Sequence, residues 1–162
     1  MAEPDQAARR EWMGLMARAG AEGARRLEAA VGSDARDGPS GALGRATGHS
    51  VLRPPEIGSV MVRGRAGATG APFNLGEMTV TRCSLQLATG QVGHGYVQGR
   101  DKAAAEAAAM VDALMQTDAA PQIRAEVLDP LRAAEATRRA ARAEKAATTK
   151  VEFFTMTRGD TG

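Results

Sequence analysis

The stretch that decides the fold of this chain spans residues 77–114 and reads EMTVTRCSLQLATGQVGHGYVQGRDKAAAEAAAMVDAL. Its first part predicts a β-hairpin, because two segments with strand character, Glu77–Ala88 and Gln91–Gly99, flank the turn-forming pair Thr89-Gly90. Its last part predicts a helix, since apolar residues recur at helical spacing and Asp101 can accept bonds from N–H groups of the first turn. A hairpin followed by a helix indicates an α+β fold.

Toward the N-terminus, the chain is predicted to contain one helix, one loop and one further strand. An apolar stripe that includes Trp12 predicts a single amphipathic helix over residues 5–31. Residues 32–48 are rich in glycine and lack periodicity, which predicts a flexible loop. Extended chain is expected before the Pro54-Pro55 pair, and alternation of valine with arginine predicts a strand over residues 57–65.

Toward the C-terminus, the sequence predicts a helical arm and a closing strand. The arm covers residues 121–147 and is expected to be interrupted near Pro130, which lacks an N–H group. Residues 150–158 carry apolar groups on both faces, as in a strand that is central in its sheet or buried against another chain. Residues 1–162 are therefore predicted to form a single α+β domain, an antiparallel sheet packed with helices, with a helical C-terminal arm.

Charge and composition favour a cytoplasmic protein that binds neither membrane nor nucleic acid. The chain has 21 Lys and Arg against 19 Asp and Glu, whereas dedicated nucleic-acid binders usually show a larger, clustered excess. The N-terminus lacks the apolar segment of a signal peptide, and no apolar run is long enough to span a bilayer. The single cysteine, Cys83, cannot form an internal disulfide, which favours a reducing compartment.

Large apolar residues are scarce. Leu, Ile, Val and Phe account for 25 of the 162 residues, and alanine supplies much of the 43% hydrophobic share. Such a chain gains little hydrophobic free energy by itself, at roughly 25 cal/mol per Å² of buried apolar surface. Two interpretations remain open: a partner chain completes the core, or alanine-rich helices pack closely.

A glycine-rich loop follows two arginines in the segment RGRAGATG. Glycines let backbone N–H groups approach an anion, and arginine side chains can bind its oxygens. The candidate contacts to an anion or a nucleotide are Arg63, Arg65, Gly67, Thr69 and Gly70. No Walker-type Gly-Lys-Ser/Thr follows, and the loop, which covers residues 66–76, leads into a strand instead of a helix. A structural loop or a subunit contact is the alternative.

The hairpin is predicted to bring a cysteine and a histidine together. A four-residue turn over 88–91 puts Tyr96 opposite Cys83. His94 then faces Leu85 and lies diagonally across from Cys83. A zinc site needs about four ligands, or three and a water, and a nucleophilic thiol needs a stabilised thiolate and an oriented base. Neither pattern is present, so we predict no catalytic residue, no metal ligand and a half-buried thiol.

Aromatic residues and a glycine-flanked histidine are the candidates for contact with a partner chain. Glycines at 93 and 95 indicate close approach by another backbone or a ligand, and aromatics near the termini are typical of interface anchors. The residues predicted to contact a partner are Trp12, His94, Tyr96, Phe153, Phe154 and Met156.

The arm carries more basic than acidic residues between positions 132 and 150. Polyphosphate, an acidic subunit or nucleic acid would each fit such a surface. Nucleic acid ranks last because no aromatic residues are interleaved for base stacking. A solvated helix face is the common explanation of such a charge run.

Four stretches resemble the G-subunit family of the bacterial carbon–phosphorus lyase core complex. They are Arg9–Ala19, Leu52–Cys83, Gly93–Gln116 and Thr149–Asp160, which follow the family's order and include 79 of the 162 residues. The middle motif, LRPPEIGSVMVRGRAGATGAPFNLGEMTVTRC, and the closing KVEFFTMTRGD are specific to that family. Residues 32–48 depart from its pattern, and the arm matches it only in character.

The resemblance implies a subunit of a cytoplasmic complex of G, H, I and J subunits. In that family the I subunit, helped by G, H and an ATP-binding-cassette-like protein, exchanges the adenine of MgATP for a phosphonate to give α-D-ribose 1-methylphosphonate 5-triphosphate. The J subunit later breaks the carbon–phosphorus bond by radical chemistry with an iron–sulfur cluster and S-adenosylmethionine.

The G subunit is implied to be required without a catalytic residue or cofactor of its own, MgATP being a substrate of the complex. A single cysteine cannot hold an iron–sulfur cluster by itself. Two alternatives to a non-catalytic subunit stay open. In one, Arg63, Arg65 and the following loop bind ATP phosphates in a shared active site; in the other, the chain is a small nucleic-acid-binding module.

Overall fold

The structure, a computed structural model, describes residues 6–34, 48–65 and 70–148. In chain order its elements are α1 (Gln6–Ala19), α2 (Ala21–Asp34), β1 (His49–Gly64), β2 (Phe73–Leu87), β3 (Val92–Gln98), α3 (Lys102–Leu114), α4 (Ala120–Ile123), a π-helical turn (Arg124–Leu128) and α5 (Asp129–Thr148). The described residues up to Arg132 and those after it belong to two separate compact units. The predicted α+β class, with an antiparallel sheet, packed helices and a C-terminal helix, is confirmed.

The N-terminal segment forms two helices, so the single helix predicted over residues 5–31 is wrong. Gly20 separates them at a φ of +55°, a left-handed conformation that glycine adopts without a steric penalty. The Gly23 N–H donates to the Gly20 carbonyl at 3.1 Å in the first turn of α2. α2 continues to Asp34, which corrects the start of the loop predicted over 32–48; most of that loop lies outside the described residues.

The three strands form one antiparallel sheet in the order β1-β2-β3. β3 pairs only with residues 80–86 of β2, whereas β1 pairs with nearly all of β2. Ser59–Gly64 and Phe73–Thr79 therefore continue beyond β3 as a two-stranded segment, which we call the ribbon. The loop predicted over 66–76 is shorter than expected, because β2 begins at Phe73.

The hairpin between β2 and β3 has a three-residue loop, so the predicted register is wrong by one residue. Gly90, at a φ of +98°, donates its N–H to the Leu87 carbonyl at 2.8 Å. Glycine in this left-handed position is typical of a three-residue hairpin loop. Cys83 therefore faces Gly95 instead of Tyr96, and the shift moves every β3 side chain to the other face relative to β2.

α3 packs directly on β3 because two glycines leave no side chain between them. A Cβ atom on Gly93 would lie 2.0 Å from the Ala109 carbonyl oxygen, and one on Gly95 would lie 1.9 Å from that of Ala105. The strand and helix backbones are therefore in contact. The close approach predicted around His94 is made by a backbone of the same chain, that of α3.

The core lies between α3 and the helices and strands that surround it. Ten of the thirteen residues of α3 are buried, and most of them are alanines. Among the described residues, the high alanine content therefore reflects close packing of this helix. The face of the sheet toward α3, here called the inner face, buries Cys83, Leu85 and Val97. Trp12, Leu15 and Met16 of α1 join the same cluster.

The C-terminal helical segment is not interrupted at Pro130, because a π-helical turn, Arg124–Leu128, comes directly before α5. The Asp129 N–H donates to the Arg124 carbonyl, five residues earlier. Pro130 then lies in the first turn of α5, where a missing N–H group is tolerated. The arm predicted over 121–147 is helical as expected. The interruption predicted near Pro130 is wrong: the helix stays continuous, with backbone hydrogen bonds that span five residues instead of four just before it.

Candidate functional site

The buried carboxylate of Asp112 joins three elements. Its Oδ1 accepts hydrogen bonds from Arg9 Nε and Trp12 Nε1, both at 3.0 Å. Its Oδ2 accepts from Arg9 Nη2 at 2.7 Å and from the His94 backbone N–H at 2.9 Å. Arg9 and Trp12 lie on α1, and His94 lies on β3, an edge strand of the sheet. Asp112 therefore holds α1 beside this edge and next to α3.

Asp112 is a structural group, because protein donors occupy both of its oxygens. Its side chain is 0% exposed, and a buried polar group without hydrogen-bond partners is strongly destabilising. The sequence reasoning missed it. The available signal was one acid inside the otherwise apolar segment Ala107–Met115.

Trp12 belongs to the chain's own core, and its predicted contact with a partner chain stays a prediction. The side chain is 5% exposed, and its indole N–H is bonded to Asp112. An aromatic residue near a terminus can close the core of its own chain as well as an interface.

The outer face of the sheet, opposite α3, carries two neighbouring rows of mainly polar side chains. The strand register gives the rows as Arg53–Ser84–His94 and Glu56–Arg82–Tyr96. Residues two apart on a strand point to the same face. Residues of all three strands therefore contribute to one patch.

This patch borders a groove of about 460 Å³, here called the outer-face groove. Its lining includes Met13, Arg53, Arg82, Ser84, His94 and Tyr96. Ser84 Oγ and His94 Nδ1 lie 2.9 Å apart, at hydrogen-bond distance. The nearest Arg82–Glu56 contact measures 3.3 Å, and both side chains are about half exposed. The groove thus combines two guanidinium groups with hydroxyl and imidazole groups.

Cys83 lies on the inner face and lacks the environment of a nucleophile. Its side chain is 1% exposed, and Sγ donates to the Arg53 carbonyl at 3.4 Å. Burial, reinforced by the Glu106 carboxylate, raises the pKa of the thiol, which disfavours the thiolate. His94 lies on the opposite face, so the predicted diagonal contact of Cys83 with His94 is wrong. The described residues include no cluster of His, Cys, Asp or Glu able to hold a metal ion.

The ribbon exposes large apolar side chains. Met61 and Leu75 are each 58% exposed, and Phe73 is 47% exposed. A two-stranded hairpin alone is at best marginally stable in water, and several large apolar side chains exposed on one short segment leave apolar area that a partner can bury. The ribbon therefore has the character of a surface that another polypeptide covers.

The predicted anion loop follows the end of the ribbon. Arg63 pairs with Asn74 and is exposed, and Arg65 is also exposed. Gly70 has a φ of +91°, in the left-handed region that favours glycine. Gly67 and Thr69 lie outside the described residues. The contact of this loop with an anion stays a prediction.

The remaining predicted partner contacts fall into two groups. His94 and Tyr96 are exposed on the outer face, and their contact with a partner stays a prediction. Phe153, Phe154 and Met156 lie outside the described residues, as does the predicted strand over 150–158.

The helices that the structure describes include none with the length and apolar character of a membrane span. In the described part of α5, beyond Leu131, most side chains are exposed, as expected for a solvated helix face.

This chain matches a model of a protein family and is similar to a named relative. The family model described as "Phosphonate metabolism protein PhnG" matches residues 7–159. A protein of Rhizobium meliloti (strain 1021), named "Alpha-D-ribose 1-methylphosphonate 5-triphosphate synthase subunit PhnG", is 51% identical over 110 residues. The aligned region covers 67% of this chain and 70% of that protein.

Proposed function

This chain belongs to the PhnG family of phosphonate metabolism proteins, and from that premise we propose that it is a required, non-catalytic subunit of an α-D-ribose 1-methylphosphonate 5-triphosphate synthase. The name of the 51% identical relative supports this assignment. The resemblance of four sequence stretches to the G subunit of the carbon–phosphorus lyase core complex supports it as well.

The proposed reaction transfers a ribosyl group from MgATP to an alkylphosphonate in the cytoplasm. A phosphonate oxygen bonds to C1′ of the ribose as the bond from C1′ to adenine breaks, and adenine leaves with a proton. The partners are the H, I and J subunits, the I subunit most directly, with an ATP-binding-cassette-like accessory protein. MgATP is a substrate of the complex, and this chain supplies no cofactor.

The exposed ribbon is the observation that carries a role in assembly. Met61, Leu75 and Phe73 project from a segment that only two strands form. Covering them removes apolar area from water, which stabilises a complex by roughly 25 cal/mol per Å². A non-catalytic role agrees with the buried Cys83 and with the fully bonded Asp112.

Co-expression with the I-type subunit, followed by affinity capture and size-exclusion chromatography, tests this proposal. We expect stoichiometric co-elution of the wild-type chain and its loss in Met61→Ser/Leu75→Ser. The matched control is Val51→Ser/Leu52→Ser, which alters two similarly exposed residues (49% and 55%) at the other end of β1. The emission of Trp12, the only tryptophan, reports whether each variant keeps its core.

Separate elution of a folded wild-type chain would overturn the subunit assignment. If the wild-type chain and both double variants all co-elute with the I-type subunit, the subunit assignment stands, and the interface lies outside the ribbon.

A further inference from the structure

We propose that the outer-face groove is a binding site for the phosphate or phosphonate group of a small molecule. The choice of phosphorus oxyanions among anions rests on the proposed function. The site itself is argued from the register, the charges and the hydrogen-bond donors of the sheet.

The register concentrates donors around Ser84. Ser84 lies on the central strand between Arg53 and His94, and directly opposite side chains in an antiparallel pair lie about 5 Å apart at Cβ. Arg82 is two residues from Ser84 on the same strand and face. An oxyanion above Ser84 is therefore within reach of two guanidinium groups, one hydroxyl and one imidazole.

The charge of the groove is positive. Its two arginines face one carboxylate, Glu56, whose contact with Arg82 is 3.3 Å long and exposed to solvent. Exposed ion pairs of this kind contribute about 0–1 kcal/mol, so an anion can displace the carboxylate. Arg53 has no acidic partner among the residues that the structure describes.

The chemistry of the donors selects a tetrahedral oxyanion. The planar guanidinium group presents paired N–H donors that match phosphate oxygens. When Ser84 donates its one hydroxyl proton to His94 Nδ1, the imidazole N–H is on Nε2, and this group instead of the hydroxyl is the donor available to the oxyanion. Tyr96, 44% exposed, and Met13 give the groove less polar walls, which suit an alkyl or ribosyl substituent.

This site differs from the anion loop predicted from the sequence. Arg53 lies in the first third of β1, whereas Arg63 lies at its far end. The donors of the groove come from three strands and β1 supplies only one of them, so no local motif marks the site.

The test is calorimetric titration of the full chain with two separate probes, methylphosphonate and tripolyphosphate. The groove variant is Arg53→Gln/Arg82→Gln. The control, Arg10→Gln/Arg124→Gln, removes the same charge from exposed positions outside the groove and outside the basic stretch 132–150. We expect the groove variant to raise the Kd of the bound probe about tenfold or more, with little change in the control. Binding of methylphosphonate alone identifies a phosphonate site, and binding of tripolyphosphate identifies a polyphosphate site.

Two results would overturn the site: neither probe binds the wild-type chain at millimolar concentration, or both double variants lose affinity equally. Co-elution with the I-type subunit, measured on the same proteins, separates this inference from the proposed function. A wild-type chain that binds a probe but does not co-elute keeps the site and removes the subunit role. A wild-type chain that co-elutes but binds no probe keeps the subunit role and removes the site.

Discussion

The Arg9 guanidinium donates two hydrogen bonds to the Asp112 carboxylate, at 3.0 and 2.7 Å, and so joins two residues 103 positions apart. The Arg9 side chain is 24% exposed and that of Asp112 is fully buried. Removal of one partner from such a pair leaves the other without compensation, which is more destabilising than loss of an exposed ion pair.

Asp112→Asn is expected to lower the free energy of unfolding by about 3 kcal/mol. The amide removes the negative charge beside Arg9 and turns one acceptor into a donor opposite existing donors. Urea unfolding followed by Trp12 emission measures the change. Asp118→Asn, at an exposed position of the next turn, is the control, and equal unfolding midpoints for the two variants would contradict the role of Asp112.

Gly95→Ala is expected to destabilise the chain by about 3 kcal/mol or more, because the new Cβ would lie 1.9 Å from the Ala105 carbonyl oxygen. The backbones of β3 and α3 have to separate to admit it. Gly58→Ala in β1 adds the same atom where nothing lies within 4 Å. The difference between their urea midpoints measures the contact, and no difference would show that β3 and α3 do not touch.

The stability of the chain is expected to fall at alkaline pH through Cys83. Because the pKa of this thiol is raised in the folded chain, the folded state holds the proton more firmly than the unfolded state. The contribution is fully present below the ordinary thiol pKa of about 8.5 and is lost as pH rises through the folded value. Unfolding curves of wild type and Cys83→Ala, recorded up to about pH 10, should diverge; parallel curves would count against the shift.

The isolated chain is expected to self-associate through the ribbon. Met61 and Leu75 each expose 58% of their surface, and exposed apolar strands pair or aggregate when no partner covers them. Sedimentation velocity should show a coefficient that rises with concentration for wild type and stays constant for Met61→Lys/Leu75→Lys. A concentration-independent wild type would show that the ribbon tolerates water.

If the loop after Arg63 binds ATP phosphates in a shared active site, Arg63→Ala/Arg65→Ala should raise the apparent KM for ATP of the assembled complex several-fold, roughly the effect of losing one charge-assisted hydrogen bond. Assembly, measured by co-elution, should not change. Arg10→Ala/Arg124→Ala, at exposed positions outside the basic stretch 132–150, controls for net charge. An unchanged KM would remove the loop after Arg63 from the nucleotide site.

Local sequence determined the elements of this protein, because strand alternation, helix periodicity and capping depend on residues a few positions apart. The hairpin and the helix predicted over residues 77–114 are present, and Asp101 Oδ1 accepts from the Ala104 N–H at 3.0 Å as expected. Two local details were wrong for physical reasons. A glycine inside a helical segment, such as Gly20, is compatible both with a continuous helix and with a break between two helices. Thr89-Gly90 is likewise compatible with a two-residue and with a three-residue hairpin loop.

Tertiary structure decided which of these residues meet. The one-residue change in the turn moved His94 away from Cys83 and aligned it with Ser84 and Arg53, which no local pattern encodes. The partners of Asp112 could not be predicted from the sequence either. Whether a carboxylate in a helix finds hydrogen-bond donors depends on which distant segment packs against it. The sequence by itself determined the elements and the family, whereas the outer-face groove and the Asp112 contacts followed from strand register and helix packing. Register and packing depend on long-range burial, which selects one arrangement among many that have the same local preferences.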